Sequence, residues 1–153
     1  MTGALAGELD AACAAHGPAC GLSDRGGDVT LPELAAVAGG VAAALRAAGC
    51  QRDEPVAVQV SNRARDLGAL WGIWKADAVA APLHRTAPPA VADRLVDRLQ
   101  ARFIVNAESH LAMPLKVLDR QPPPARPLLQ GAALIVFTSG TTGQPKGAVL
   151  SHA

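Results

Sequence analysis

Ala132-Ala133-Leu134-Ile135-Val136-Phe137-Thr138-Ser139-Gly140-Thr141-Thr142-Gly143-Gln144-Pro145-Lys146-Gly147-Ala148-Val149-Leu150 is the stretch that organises this chain. Six consecutive apolar residues, Ala132 to Phe137, read as a buried strand. Ala148 to Leu150 read as a second strand, and Ser151 reads as an N-cap for a following helix. Between the two lie three glycines, four hydroxyl side chains and one lysine. Glycine lets a backbone approach a ligand closely. The hydroxyls of Thr138, Ser139, Thr141 and Thr142 donate hydrogen bonds without adding negative charge. Lys146 adds a cation at the far end. Backbone N–H groups, hydroxyls and one lysine together make a cradle for phosphate oxygens.

The pattern differs from the P-loop of NTPases. That loop has Gly before its Lys and Ser or Thr after it, on the way into a helix. Here Pro145 precedes Lys146, Gly147 follows, and a strand comes next. An ordinary Gly/Thr/Ser-rich hairpin is the plain alternative, but a simple turn has no need of all these groups at once.

Upstream, residues 119–131 carry Pro122, Pro123, Pro124 and Pro127 and read as an extended surface connection. Before it, Pro55–Val60, Ala78–Leu83 and Phe103–Val105 read as strands, with a weaker one at Leu115–Leu118. Leu67, Leu70, Trp71 and Trp74 fall at helical spacing, so both tryptophans are expected in the core, with Ser61-Asn62 as turn and cap and Asp77 closing the helix. Pro88-Pro89 opens another helix that carries Val91, Leu95 and Leu99 on one side. Strand, helix, strand, helix, strand at this spacing implies an α/β fold with a βαβ-type parallel sheet and flanking helices. Thr30-Leu31-Pro32-Glu33 is a capping box, followed by Leu34, Val37, Ala38, Val41 and Leu45 on one helical face and Gly49 just past the end. Leu5–His16 is a weaker helix stopped by Gly17-Pro18, and Ser23–Asp28 is a hairpin tip.

Composition narrows the function classes. The 153 residues are 50% hydrophobic and 18% charged, enough to bury one core. Fourteen basic and thirteen acidic residues give a net charge of +1, with no clustered basic footprint for nucleic acid. No charged n-region or apolar h-region opens the chain, and the longest uncharged apolar stretch, Leu34–Leu45, is too short to span a bilayer. A cytoplasmic location is expected by default. Cys13, His16 and Cys20 fall short of the four ligands of a structural zinc site, so no metal site is expected. His84, His110 and His152 lack partners at catalytic spacing and are expected at the surface or in turns. Asp93, Arg94, Asp97 and Arg98 form a solvated helix face.

Phe137 to Gly147 resembles the signature loop of the adenylate-forming (AMP-binding) enzymes: acyl-CoA synthetases and ligases, luciferases and peptide-synthetase adenylation domains. It matches that pattern at every defined position. Thr30-Leu31-Pro32-Glu33-Leu34 is similar to the family's Thr-aromatic-x-Glu-Leu helix entry. Val56–Val60 with Asn62 resembles its first core strand, and Trp74 to Leu83 resembles its Lys-Ala-Gly-x-x-x-x-Pro-Leu segment. The likeness covers about residues 20–153. Departures lie in turns and caps: Leu31 for the aromatic, Asp53-Glu54-Pro55 before the strand, Asp77 for Gly, and Arg85-Thr86 after His84.

The resemblance implies that residues 1–153 form the N-terminal portion of the AMP-binding domain: an α/β subdomain to about 118, the proline-rich connection 119–131, and the strand and phosphate loop 132–153. It implies ATP with Mg2+ as substrate, a small-molecule carboxylic acid activated as acyl-adenylate, and coenzyme A or a carrier pantetheine as thiol acceptor. Thr138, Ser139, Thr141, Thr142 and Lys146 would hold the β- and γ-phosphates, with Lys146 the catalytic candidate. Gly140, Gly143 and Gly147 would permit close approach. The acyl pocket and a second, C-terminal domain would lie further along, so these residues alone are not expected to turn over ATP. The open sheet edges are expected to favour self-association. Two other readings use the same residues: a phosphate- or nucleotide-binding module without chemistry, and an inactive α/β protein.

Overall fold

The computed structural model describes residues 4–106, 115–138 and 145–152. Helix α1 (Ala4–His16) leads through a short 3-10 turn into a hairpin of β1 (Gly21–Asp24) and β2 (Gly27–Thr30). Then follow α2 (Leu31–Ala47), β3 (Pro55–Val60), α3 (Ala64–Lys75), β4 (Val79–His84), α4 (Pro89–Leu99), β5 (Phe103–Asn106), β6 (Leu115–Val117), β7 (Ala132–Thr138) and β8 (Lys146–Ser151). The main sheet has six strands in the order β6-β5-β3-β4-β7-β8. Its centre is parallel: β3 pairs with β4 and β5, and β4 pairs with β7. Both edges are antiparallel, β6 against β5 and β8 against β7. This is the α/β architecture that the βαβ spacing implies.

Alternation along the strands builds two cores. Val56 and Val58 of β3, Ala80 of β4, and Phe103 and Val105 of β5 face α2 and α3, where Val41, Leu45, Ala69 and Ile73 meet them. Ala57, Val79, Ala81 and Leu83 face the other way, onto Val96 and Leu99 of α4. A third cluster sits beyond α3, where Trp71 and Trp74 pack with Leu31, Leu34 and Ala6. Both tryptophans are core residues, as their spacing predicts. Helices α2 and α3 approach closely along Gly68 and Gly72. A Cβ at Gly72 would lie 2.6 Å from the Val41 Cβ and 2.7 Å from the Ala38 carbonyl oxygen.

The helix ends follow their local chemistry. Glu33 N–H donates to Thr30 Oγ1, and Thr30 N–H donates to the Glu33 carboxylate at 2.8 Å, closing the capping box. Gly49 takes φ +75° past the end of α2, and Asp77 takes φ +58° past the end of α3, a left-handed conformation that glycine adopts most readily. The start of α3 differs from the sequence expectation. Ser61-Asn62 form the turn, with Asn62 at φ +60°, but the Asp66 carboxylate caps the helix by accepting from the N–H groups of Ser61 and Arg63, each at 2.9 Å.

Ser151 pairs with Ala132 as the last residue of β8. The connection 119–131 is not wholly at the surface. It makes a 3-10 turn at Pro127–Leu129 and drives Leu129 into the core beside Leu99 and Ala132. On α4, Leu95 and Leu99 pack into the core as their spacing predicts, Val91 is half-buried, and Val96 is buried beside them. Among the described residues, no helix is long and apolar enough to cross a membrane.

Candidate functional site

In an open α/β sheet, ligands gather at the carboxyl ends of the parallel strands. Here that edge is formed by the ends of β3, β4, β5 and β7, at Val60, His84, Asn106 and Thr138. The glycine- and hydroxyl-rich segment begins at the last of these. It leaves the sheet from Thr138 and returns as β8 from Lys146, its two ends directly opposite each other in the ladder. Thr138 Oγ1 donates to the Lys146 carbonyl oxygen at 3.4 Å, which closes the base of the loop. Gly147 stands opposite Phe137. A Cβ at Gly147 would come within 3.3 Å of Ile135 Cγ2 and 3.4 Å of the Phe137 ring, so glycine lets the strand lie tight against these side chains.

Thr138, Lys146 and Gly147 are exposed. Lys146 makes no ion pair with any described residue. Ser139, Gly140, Thr141, Thr142 and Gly143 lie outside the described residues. The described stem therefore joins one hydroxyl and one cation across the base of the segment. It has the chemistry to offset negative charge, with no carboxylate or imidazole on the stem to move protons. Among the described residues, no cluster of His, Cys, Asp or Glu could hold a metal ion.

Of the histidines expected at the surface, His84 is exposed as the last residue of β4. Its Nδ1 lies 2.7 Å from Thr86 Oγ1 and its Nε2 3.5 Å from Asn62 Nδ2. His110 lies outside the described residues. His152 departs from expectation: it is half-buried, edge-on to Trp74 with ring centroids 6.3 Å apart. Burial pushes its pKa below the usual imidazole value, because the charged form loses hydration.

Several contacts that hold the two ends of the sheet have no local sequence signal. The Asp24 carboxylate reaches from the β1–β2 hairpin to accept the Ala64 N–H at 2.6 Å, at the first turn of α3. At the opposite edge of the sheet, buried Glu54 is clamped by Arg102 through contacts of 2.7 and 2.8 Å. Asp53 Oδ1 accepts the Gly131 N–H at 3.1 Å, which ties the entry of β7 to the entry of β3. The Asp53-Glu54-Pro55 departure is thus a set of anchors for the amino ends of three strands.

The sequence model of the AMP-binding enzyme family matches residues 9–153. The chain belongs to the AMP-binding enzymes. Among curated members, it is similar to a dapdiamide synthesis protein of Enterobacter agglomerans, at 29% identity over 150 residues, covering 97% of this chain and 26% of that protein. It is also similar to the mitochondrial malonate–CoA ligase of Homo sapiens, at 29% identity over 126 residues, covering 68% of this chain and 22% of the ligase. The chain spans about a quarter of the length of these two AMP-binding relatives. Among solved structures, the N-terminal subdomain of NpsA from Klebsiella oxytoca, in complex with 3-hydroxyanthranilyl-AMSN, shares the fold. Its TM-score is 0.70 at 21% identity, covering 97% of this chain and 40% of that one.

Proposed function

We propose that this chain supplies the triphosphate-gripping part of an ATP-dependent ligase that activates a carboxylic acid as its acyl-adenylate and passes the acyl group to a thiol. The observation that carries the reading is the Thr138–Lys146 stem. A hydroxyl and a lysine with no ion pair to a described residue stand across the base of a glycine-rich segment at the carboxyl edge of the sheet. Family membership and the relatives' own names support the class of chemistry.

In this reading the acid's carboxylate attacks the α-phosphorus of MgATP, and the bond from that phosphorus to the bridging oxygen breaks. Negative charge then develops on the departing pyrophosphate. Lys146 and the hydroxyls of Thr138, Ser139, Thr141 and Thr142 hold that charge, while Gly140, Gly143 and Gly147 let the backbone come close. Magnesium arrives with the nucleotide and offsets phosphate charge. The thiol, of coenzyme A or a carrier pantetheine, then displaces AMP from the acyl-adenylate.

Carboxylate-dependent exchange of labelled pyrophosphate into ATP tests this in the ligase that carries the chain. We expect exchange with at least one carboxylic acid, and Lys146→Ala to lower it by one to several orders of magnitude, roughly 2–4 kcal/mol of transition-state stabilisation. ATP binding without exchange would favour a phosphate-binding module. Wild-type exchange rates in Lys146→Ala would remove the lysine from its assigned role.

A further inference from the structure

The β7–β8 hairpin is tied to the sheet by few ladder contacts. β4 and β7 are paired at Ala80 and Leu134, whereas β3 and β4 pair along six residues. The β7–β8 register also slips between Ala132 and Leu134: Ala132 faces Ser151, Leu134 faces Leu150, and Ala133 has no partner across the ladder. Such a bulge turns a backbone group out of the sheet, and a buried carbonyl left unpaired is costly. The Ala133 carbonyl is buried, and it accepts the indole N–H of Trp74 at 2.8 Å. The same indole meets the other leg of the hairpin, because His152 at the end of β8 packs edge-on against it, with planes 76° apart.

We propose that Trp74 is the positioning residue of the phosphate loop: its N–H captures the carbonyl turned out by the β7 bulge and sets where Thr138 and Lys146 stand relative to the sheet. Thr138 lies five residues beyond Ala133, about 16 Å along an extended strand. A tilt of about 5° at the base therefore displaces the stem's outer end by more than about 1 Å, a misplacement that can cost on the order of a hundredfold in rate. Trp71, on the preceding turn of α3, is an internal control. It is buried like Trp74, but its Nε1 has no hydrogen-bond partner among the described residues. Both indoles fill core volume, and among the described residues the Trp74 N–H bonds to the hairpin while the Trp71 N–H does not.

This inference rests on the ligase reading for its kinetic half only. The test compares Trp74→Phe with Trp71→Phe by amide hydrogen exchange and by the ATP dependence of pyrophosphate exchange. In Trp74→Phe, amides of β7 and β8 are expected to exchange at least tenfold faster, while those of β3 change less than threefold. KM for ATP is expected to rise at least fivefold, with a fall in kcat. In Trp71→Phe, any loosening is expected to spread over β3 and the hairpin alike. Equal effects of the two substitutions on the hairpin, or a hairpin unchanged by Trp74→Phe, would overturn the proposal, as would unaltered KM and kcat in a loosened variant. If Trp74→Phe does not fold, a benzothienyl analogue that keeps the ring volume without the N–H can replace Trp74 in a Trp71→Phe background, with the same expected result. A wild-type ligase carrying this chain that shows no exchange activity would sink the ligase reading, and hydrogen exchange alone would then decide the role of Trp74.

Discussion

The β3–α3–β4 unit and the β7–β8 hairpin belong to one sheet but are built differently. In the first, Pro55 to Val58 and Val79 to Ala81 are buried in unbroken runs, and the two strands pair along their full length. In the second, Lys146, Gly147, Ala148, Leu150 and Ser151 are exposed, and a bulge interrupts the ladder near its start. The first is a scaffold. The second keeps Ala132, Ala133 and Ile135 of β7 buried and leaves β8 exposed as the edge strand, and exposed backbone with few apolar contacts permits local motion without global unfolding. Changes in the scaffold should therefore lower the stability of the whole fold, whereas changes in the hairpin should alter the site and leave the melting temperature almost unmoved.

The largest expected effect is on the scaffold. Arg102→Ala strands the buried Glu54 carboxylate without its counter-ion, a class of change that costs about 3–5 kcal/mol. Chemical denaturation should show it as a lower midpoint with an unchanged slope. An unaltered midpoint would mean that this edge of the sheet is not part of the rigid unit.

Gly72→Ala comes next. Alanine gains about 1 kcal/mol of helix propensity over glycine. The new methyl would meet the Val41 Cβ and the Ala38 carbonyl below 3 Å, and a backbone oxygen cannot step aside alone. Overpacking of this kind costs about 1–3 kcal/mol, so the clash should win and α2 should move off α3. A raised melting temperature would show that the seam has slack.

Lys146→Ala sharpens the contrast from the other side. Its stability effect should stay within about 0.5 kcal/mol, as for most surface positions, although its effect on pyrophosphate exchange is large. A melting temperature lowered by several degrees would make Lys146 a structural residue.

The smallest effect is electrostatic. The Ala64 and Gly26 N–H groups hold the Asp24 carboxyl below its usual pKa, with Arg63 adding a lesser pull. A carboxylate whose pKa is lower in the folded state stabilises the fold above its unfolded pKa, and that contribution fades as pH falls through the folded value. Stability should therefore drop below about pH 4, and Asp24→Asn should flatten that drop. An identical acid limb in wild type and variant would show that the tie between the β1–β2 hairpin and α3 has no energetic weight.

Legibility in the sequence followed the range of the forces involved. The limits of α2 were readable because a capping box and a C-terminal glycine act within one turn of the chain: Thr30, Glu33 and Gly49 do in the structure what their positions predict. The burial of Trp71 and Trp74 was readable from helical spacing, but the different fates of their N–H groups were not. The α3 cap was misplaced because Asp66 outcompetes Ser61 and Asn62 as acceptor, a contest settled by how β3 enters the helix.

By itself the sequence determined the period and ends of the helices, the apolar strands, and the loop chemistry that marks an AMP-binding enzyme, because each depends on residues a few positions apart. Tertiary structure alone decided the strand order, the pairing of Ser151 in β8, the Glu54–Arg102 clamp and the Trp74 contact with Ala133. These join groups well beyond the reach of one helical turn, as far as 59 residues apart for Trp74 and Ala133. Which distant groups meet is set by the simultaneous burial of both sheet faces, and no local pattern encodes that.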